Sequence, residues 1–151
     1  MNNTCGICQV HGDALQRAEL EIARSDLWVL RHHHAPAPLL GWLLLDTVRH
    51  CSGPVDFELE EATAWGSVVQ RSSQLIRSLT GCDRVYAIAF GEGAQHLHLH
   101  LIPRFVTDSE TSAWSVADHY RQVSEGRQSA VDHSEVMRFV QRAREFDPLM
   151  D

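Results

Sequence analysis

Three histidines spaced two residues apart, His96, His98 and His100, are the side chains in this sequence best suited to chemistry. Leucines alternate with them, and successive side chains of an extended strand point to opposite faces. The leucines would then face a core, while the imidazoles would border a cleft, a metal or solvent, because unpaired imidazoles are costly to bury among apolar groups. The pattern favours a functional row of imidazoles over a half-exposed strand that merely carries histidine.

Two cysteines and a further histidine have the donor chemistry of a metal site. Cys5 and Cys8 form a Cys-x-x-Cys motif, which fits either metal binding or a redox pair. Together with His50 and His96 they have the number and types of donors found in closed tetrahedral zinc sites. The alternative places the three histidines of the row on one ion, although strand neighbours on one face lie about 7 Å apart. The spacing of these residues alone does not decide between the two sets of metal ligands.

A glycine-containing turn, Gly91 to Ala94, comes directly before the histidine row. Residues without a Cβ atom let backbone N–H groups turn toward an anion and let that anion approach closely. Gly91 and Gly93 are therefore predicted to offer amides to a phosphate, and Gln95 to supply a polar contact beside them.

A second histidine cluster, residues 32–34, runs into a segment that contains Pro36 and Pro38. Prolines forbid helix and favour an extended loop, so these histidines are predicted to lie at the start of a loop. A solvated loop and a ligand-binding role both fit this cluster.

Composition restricts the classes of function. The chain has 151 residues, enough for one domain with a real core, and its 44% hydrophobic and 22% charged residues are typical of a globular protein. The formal net charge of −7 argues against binding to a nucleic-acid backbone, which needs clustered cations. All 13 basic residues are arginine, which excludes a lysine Schiff base, a lysine general base and a phosphate-loop lysine.

Nothing in the sequence points to a membrane or to secretion. The N-terminal residues show no basic segment followed by an apolar run, and the longest apolar stretch, residues 39–45, is far too short to span a bilayer. The four cysteines are therefore expected to be reduced thiols in the cytoplasm.

Periodicity and turn residues divide the chain into helices and strands. A long amphipathic helix is predicted between an N-cap at Asp56 and a C-cap at Gly81, and a terminal helix between Asp132 and Phe146. Short helices are predicted at residues 12–18 and around residues 114–120. Strands are predicted at residues 20–23, 27–31, 39–45 and 84–90 and, for the histidine row, in a strand that ends at Pro103.

The segment from His96 to Ile102 resembles the signature of the histidine triad family, His-x-His-x-His with apolar residues between the histidines and an apolar pair at the end. The resemblance covers residues 5–104, where the Cys-x-x-Cys motif, a hairpin, an apolar strand, a long helix and a glycine turn follow in the family's order. It implies one α+β domain over residues 1–151, with an antiparallel sheet of about five strands, one long helix and a C-terminal helix. Residues 105–151 would form a C-terminal extension.

The resemblance also implies an activity. In that family the middle histidine attacks the α-phosphate of a nucleotide-like substrate, so His98 would form a covalent nucleotidyl-imidazole intermediate that water or another acceptor resolves. His100 would orient His98 and bind phosphate, while amides of the glycine turn stabilise the developing charge. The implied protein is a hydrolase or nucleotidyltransferase for a substrate such as a dinucleoside polyphosphate or a nucleoside phosphoramidate. A homodimer is implied as well, through the long helix and an edge strand.

A metal-binding branch of the wider superfamily, which includes galactose-1-phosphate uridylyltransferase, bears on the choice between the two possible sets of metal ligands. That branch binds zinc through a Cys-x-x-Cys pair, a histidine after the apolar strand and the first histidine of the triad. This sequence resembles it at Cys5, Cys8, His50 and His96. The resemblance therefore implies a structural zinc on these four residues and leaves His98 free for chemistry.

The sequence departs from the family pattern at positions that are usually polar. Trp42 stands where many hydrolytic members place another active-site histidine, His34 where they place a residue that binds ribose, and Phe90 where an amide often supports the phosphate. A nucleotide-binding or regulatory protein with weak or no catalysis is therefore an alternative, and a metal-dependent phosphodiesterase that uses the imidazoles is a third. The predicted substrate-binding residues are Gly91, Gly93, Gln95, His34 and Trp42.

Overall fold

The computed structural model describes residues 4–146, 148 and 149. Residues 1–3, 147, 150 and 151 of the predicted domain lie outside the described part. The helices described are α1 (Gly6–Gly12), α2 (Ala14–Leu20), α3 (Leu59–Thr80), α4 (Val116–Ser124) and α5 (His133–Arg144). The strands described are β1 (Glu21–Arg24), β2 (Trp28–His32), β3 (Leu43–Thr47), β4 (Arg84–Ile88) and β5 (His98–Arg104). Short 3₁₀ helices lie at Pro54–Asp56 and Ser109–Thr111.

The described strands form one open antiparallel sheet in the order β1-β2-β3-β5-β4. β5 lies between β3 and β4, so the histidine strand is inside the sheet rather than at an edge. Its register with β3 places Asp46 opposite His98 and Leu44 opposite His100. The sheet therefore brings the carboxylate of Asp46 beside His98. The antiparallel sheet with its helices also confirms the predicted α+β class.

The two faces of the sheet differ because side chains alternate along each strand. One face packs with α3 and α5 in the main hydrophobic core and carries Leu30, Leu43, Leu45, Leu99 and Leu101. The other, which we call the imidazole face, carries Arg31, Asp46, His98 and His100 and shares a cavity with residues of α1 and α4. The predicted division into a leucine face and an imidazole face is confirmed for His98 and His100, whereas His96 lies outside the strand.

α3 begins at a different residue from the predicted one. Glu58 is its N-cap, and Glu58 and Glu61 form a reciprocal capping box. Asp56, the predicted N-cap, lies in a 3₁₀ turn where its carboxylate accepts the backbone N–H of Ser52 at 3.0 Å. Gly81 ends the helix in the left-handed conformation, with a φ of 71°, as predicted.

The apolar strand predicted at residues 39–45 begins only at Leu43. Residues 39–42 form a turn in which the N–H of Trp42 donates to the carbonyl oxygen of Leu39 at 3.2 Å. Gly41 permits this turn, because its φ is 80° and a Cβ atom there would lie 2.7 Å from a methyl carbon of Thr80. The turn therefore places Trp42 at the start of the strand, on the imidazole face.

The histidine strand likewise begins at His98 rather than at His96. His96 precedes the ladder, and its Nε2 atom donates to the carbonyl oxygen of Thr47 at 2.8 Å. Its ring is therefore tied to the end of β3, and the three histidines do not form one continuous strand row.

The short helices also differ from the predictions. The helix predicted at residues 12–18 is two helices, which Asp13 separates as the N-cap of α2. α4 begins at Val116, so Trp114 precedes it and is 93% exposed, while Tyr120 lines the cavity.

The C-terminal segment packs into the same core as the rest of the chain. α5 contacts β1, β2 and α3, and its buried residues are Val136, Phe139, Val140 and Ala143. α4 is fixed to the loop between β2 and β3, where His119 Nε2 donates to the carbonyl oxygen of Pro38 at 2.9 Å. Within the described part of the chain, no helix combines the length and the apolar character needed to cross a membrane.

His32 is a buried histidine whose two ring nitrogens both have backbone partners. Its Nδ1 donates to the carbonyl oxygen of His33 at 2.9 Å, and its Nε2 accepts the N–H of Gly41 at 3.0 Å. Burial lowers the pKa of His32 to about 4. The ring therefore ties the end of β2 to the turn before β3, and it would lose the bond from Gly41 if it took up a proton.

We expect His32 to make the protein sensitive to acid. An unfolded histidine has a pKa of about 6.5, so below this pH the unfolded chain binds a proton that the folded chain excludes down to about pH 4. The contribution of His32 to the free energy of unfolding should therefore fall by about 1.4 kcal/mol per pH unit in this window. In urea unfolding, the stability deficit of His32→Asn relative to the parent protein should shrink as the pH is lowered.

The matched control for this experiment is His133→Asn, which changes an exposed histidine at the start of α5. This variant should follow the parent protein at every pH. A stability deficit of His32→Asn that stays constant from about pH 7 to about pH 4.5 would contradict the assignment.

Candidate active site and metal centre

His98 lines the cavity on the imidazole face, and the backbone fixes the orientation of its ring. Its Nδ1 lies 2.7 Å from the carbonyl oxygen of His96, which only accepts hydrogen bonds, so Nδ1 carries the proton. The neutral ring then keeps its lone pair on Nε2. A half-buried imidazole in this state is suited to nucleophilic attack or to the acceptance of a proton.

His100 lies beside His98 and contacts a buried tryptophan. Trp42 Nε1 donates to His100 Nδ1 at 3.0 Å, and Trp42 is 0% exposed. The ring centroids of His98 and His100 are 5.4 Å apart, and Phe90 meets His100 edge-on at 5.0 Å. Burial, followed by smaller effects of His98 and Arg31, lowers the pKa of His100 to about 3. His100 is therefore a neutral hydrogen-bonding group near pH 7.

The cavity that these two histidines line has a volume of about 600 Å³, within the range of small-molecule sites. Its lining combines polar groups with apolar and aromatic walls that come from α1, β3, the loop before β5 and α4. The polar residues include Arg31, His33, His34, Gly93, His98 and His100. The apolar and aromatic residues include Ile7, Val10, Leu44, Phe90, Ala117 and Tyr120.

The structure brings His34 and Gly93, two of the predicted substrate-binding residues, to this cavity. Gly91 and Gln95 are exposed and lie outside its lining, so their predicted contacts with substrate stay predictions. Trp42 is fully buried and contacts His100 instead of the cavity. The prediction that Trp42 touches substrate is therefore corrected, because the turn at residues 39–42 places the indole behind a site histidine.

The second histidine cluster contributes to the site rather than to a solvated loop. His33 is 3% exposed, and its ring stacks on that of His34 with centroids 4.6 Å apart. Burial above all, and then the neighbouring His34, lowers the pKa of His33 to about 3. The pair therefore presents flat imidazole surfaces to the cavity.

A buried ion pair lies on the imidazole face next to the histidines. Arg31 Nε donates to Asp46 Oδ2 at 2.6 Å, and His11 Nε2 lies 3.0 Å from the same oxygen. Burial raises the pKa of the Asp46 carboxyl, but the charge of Arg31 and the hydrogen bonds from both partners hold it below its ordinary value. Arg31 also lines the cavity, so the pair places a guanidinium group at its polar end.

The sequence patterns did not indicate this ion pair, although one signal was present. Asp46 interrupts an apolar strand, and Arg31 and His33 lie two residues apart at the end of the strand before it. Once the strands are paired, the period of two places all three side chains on the face that carries His98 and His100.

Four cysteine and histidine side chains meet beside the start of β5. One donor atom from each of Cys5, Cys8, His50 and His96 lies within 4.8 Å of all the others. Cys8 Sγ lies 3.5 Å from the Nδ1 atoms of both His50 and His96, and Cys5 Sγ lies 3.6 Å from Nδ1 of His96. The cluster joins the N-terminal segment to the segments that follow β3 and precede β5.

The geometry of this cluster fits a tetrahedral zinc ion. Zn–S bonds of about 2.3 Å and Zn–N bonds of about 2.0–2.1 Å put sulfur and nitrogen about 3.5 Å apart at tetrahedral angles, close to the separations found. His96 donates through Nε2 to Thr47, which leaves the Nδ1 lone pair for a metal and gives the ring the backbone partner usual for a metal ligand. Because His96 Nδ1 faces the cysteines, the alternative with all three row histidines on one ion does not form.

Several solved structures with a similar fold are histidine triad proteins. A Zn-bound histidine triad family protein from Mycobacterium smegmatis matches with a TM-score of 0.67 and 21% identity, over 94% of each chain. A histidine triad protein from Bradyrhizobium japonicum matches with a TM-score of 0.64 and 24% identity, over 89% of this chain and 96% of that chain. A histidine triad protein from Sinorhizobium meliloti matches with a TM-score of 0.62 and 18% identity, over 89% and 94% of the two chains.

The sequence matches no protein-family model and no curated protein. The structural similarity therefore establishes the fold: an α+β chain with the open five-stranded antiparallel sheet of histidine triad proteins. Cys5 and Cys8 lie beside a candidate metal site with His50 and His96, and one of the similar structures is Zn-bound.

We expect the Arg31–Asp46 pair to be essential for stability. Asp46→Asn removes the carboxylate but leaves the Arg31 guanidinium buried, and breaking a buried pair in this way typically costs about 3–5 kcal/mol. Urea unfolding should report a loss in this range.

Asp118→Asn is the matched control, because it removes the exposed partner of Arg121 on α4 and should leave stability unchanged. A loss of less than about 1 kcal/mol in Asp46→Asn would show that the buried guanidinium does not depend on this counter-charge.

Proposed function

We propose that this chain is a histidine triad hydrolase or nucleotidyltransferase that acts on the α-phosphate of a nucleotide through His98. The observation that carries the proposal is the state of His98. Its Nδ1–H is bound to the carbonyl oxygen of His96 at 2.7 Å, and its Nε2 lone pair remains for a substrate in the cavity. In the neutral ring this arrangement leaves the lone pair of the nucleophilic nitrogen free, so the neutral ring needs no base to activate it.

The proposed reaction consists of two displacements at phosphorus. His98 Nε2 forms a bond to the α-phosphorus as the bond from phosphorus to the leaving oxygen breaks, and the leaving group takes the electron pair. The phosphorylated ring is cationic, and its Nδ1–H bond to the carbonyl oxygen of His96 stabilises that charge. Water or another acceptor then attacks phosphorus, the N–P bond breaks, the electron pair returns to Nε2, and the acceptor's proton passes to solvent.

The cavity supports a substrate of nucleotide size. Its volume of about 600 Å³ suits a small molecule, and Phe90 and Tyr120 offer aromatic surfaces for a base. The Arg31 guanidinium, paired with Asp46, and Gly93 of the turn line the same cavity as His98. These groups are of the kinds that bind a phosphate.

We expect His98→Ala to lower kcat/KM by at least about 10³-fold, because the variant lacks the nucleophile. The parent protein, quenched during turnover, should carry a phosphorus–nitrogen adduct on His98 that mass spectrometry locates. The control, His133→Ala, changes an exposed histidine outside the cavity and should keep full activity. Full turnover by His98→Ala would rule out the nucleophile, whereas nucleotide affinity without turnover across a broad panel would favour the binding or regulatory alternative.

We further propose that Cys5, Cys8, His50 and His96 hold a structural zinc. The sulfur–nitrogen separations of 3.5 and 3.6 Å and the engaged Nε2 of His96 support it. The metal would fasten α1 to the sheet, and it takes no part in the displacements at phosphorus. Thiolate ligands require reduced cysteines, which fits the cytoplasm.

The homodimer implied by the resemblance stays a prediction, for which β4 offers an edge strand.

Elemental analysis should find one zinc per chain in the parent protein and none in the double variant Cys5→Ser, Cys8→Ser. The melting temperature should fall by about 10 °C or more, since a structural zinc contributes several kcal/mol and each kcal/mol is worth about 2–4 °C at this size. Cys82→Ser, which changes a buried cysteine of the main core, should retain the metal. Unchanged zinc content in the double variant would refute the ligand assignment.

A further inference from the structure

The hydrogen bond between Trp42 and His100 determines where His100 carries its proton. An indole nitrogen can only donate, so the 3.0 Å contact from Trp42 Nε1 makes His100 Nδ1 an acceptor. The neutral ring must then bear its hydrogen on Nε2. Trp42 is 0% exposed and His100 is 5% exposed, so water does not compete for this contact.

The surroundings of His100 favour the neutral ring. Burial, then the charges of His98 and Arg31, lower the pKa of His100 to about 3, and the carboxylate of Asp46 opposes this only weakly because Arg31 and His11 already engage it. Phe90 and Tyr120 add aromatic edges without charge. The titratable and charged groups that face His100 are His98 on β5, Arg31 and His33 on β2, Asp46 on β3 and Tyr120 on α4.

His98 and His100 therefore have opposite tautomers, and each is set by one partner. His98 donates from Nδ1 to the carbonyl oxygen of His96 and keeps its lone pair on Nε2. His100 accepts at Nδ1 from Trp42 and keeps its hydrogen on Nε2. Both rings line the same cavity, so the pair supplies one nucleophilic nitrogen and one hydrogen-bond donor.

We infer that Trp42 is a positioning residue that holds His100 as a neutral Nε2–H donor, so that the site favours substrates whose leaving group departs as an anion. The inference rests on the proposed function and narrows its substrate class to phosphoanhydrides over phosphoramidates.

The chemistry of the first displacement gives the reason. As His98 Nε2 bonds to phosphorus, the bond from phosphorus to the leaving atom breaks and that atom takes the electron pair. His100 donates a hydrogen bond to the reacting group but keeps its proton, because losing it would create an imidazolate. A phosphate or nucleotide is a stable anion and leaves without a proton. An amine does not leave as an anion, and the neutral His100 does not supply the proton that it requires.

The proton position can be measured without any substrate. In the parent protein labelled with ¹⁵N-histidine, long-range proton–nitrogen spectra should show an unprotonated Nδ1 and a protonated Nε2 at His100 from about pH 8 to about pH 5. In Trp42→Phe, His100 should show a mixture of the two neutral tautomers in this range, because its Nδ1 has lost the indole donor while burial still favours the neutral ring. Trp28→Phe, which removes a buried tryptophan from the leucine face, should leave the His100 signals unchanged. A protonated Nδ1 at His100 in the parent protein would overturn the inference, even if Trp42→Phe does not fold.

Kinetics test the consequence for substrates. The parent protein should hydrolyse ADP with a kcat/KM about 100-fold above that for adenosine 5′-phosphoramidate, since a missing general acid typically costs about 10²-fold or more. Trp42→Phe should narrow this ratio by lowering kcat/KM for ADP, because part of its His100 no longer carries the Nε2–H that donates to the reacting group. A phosphoramidate that reacts as fast as the anhydride in the parent protein would refute the narrowed substrate class, while the His98 adduct would still support the proposed function. If the parent protein hydrolyses neither compound, the proposed function and the narrowed substrate class are both contradicted. The nitrogen spectra of His100 then test the role of Trp42 by themselves.

Discussion

The alternation of side chains along β5 is the constraint on which the rest of the structure depends. Leu99 and Leu101 point into the main core, so His98 and His100 must point to the other face. A slip of one residue in the pairing of β5 with β3 would bury the imidazoles among leucines and expose the leucines. Hydrophobic burial therefore fixes the register, and the position of the histidines follows from it.

Single hydrogen bonds give the three histidines, His96, His98 and His100, different chemistry. His96 uses Nε2 on the carbonyl oxygen of Thr47, which turns Nδ1 toward the cysteines. His98 uses Nδ1 on the backbone, and His100 uses Nδ1 on Trp42. Three copies of one side chain thus become a candidate metal ligand, a candidate nucleophile and a hydrogen-bond donor. His96 is engaged at Nε2, His98 donates from Nδ1, and His100 accepts at Nδ1.

The sequence predicted the features that depend on local order, such as the two faces of β5 and the end of α3 at Gly81. The resemblance predicted the four residues of the metal cluster, which lie far apart in the chain. The Arg31–Asp46 contact could not be predicted, because it depends on the register between two strands and periodicity gives no register. Trp42 was placed at the substrate for a similar reason: only the turn at residues 39–42 shows that its indole lies behind His100.

α1 has only seven residues, yet it takes part in both sites. Cys8 belongs to the metal cluster, Ile7 and Val10 line the cavity, and His11 contacts Asp46. A ligand at one site that moves this helix changes the affinity of the other, and thermodynamic linkage makes the two effects equal in size. For the proposed metal and the proposed nucleotide, occupancy of one site and affinity at the other are thus linked through the placement of a single short helix against the sheet.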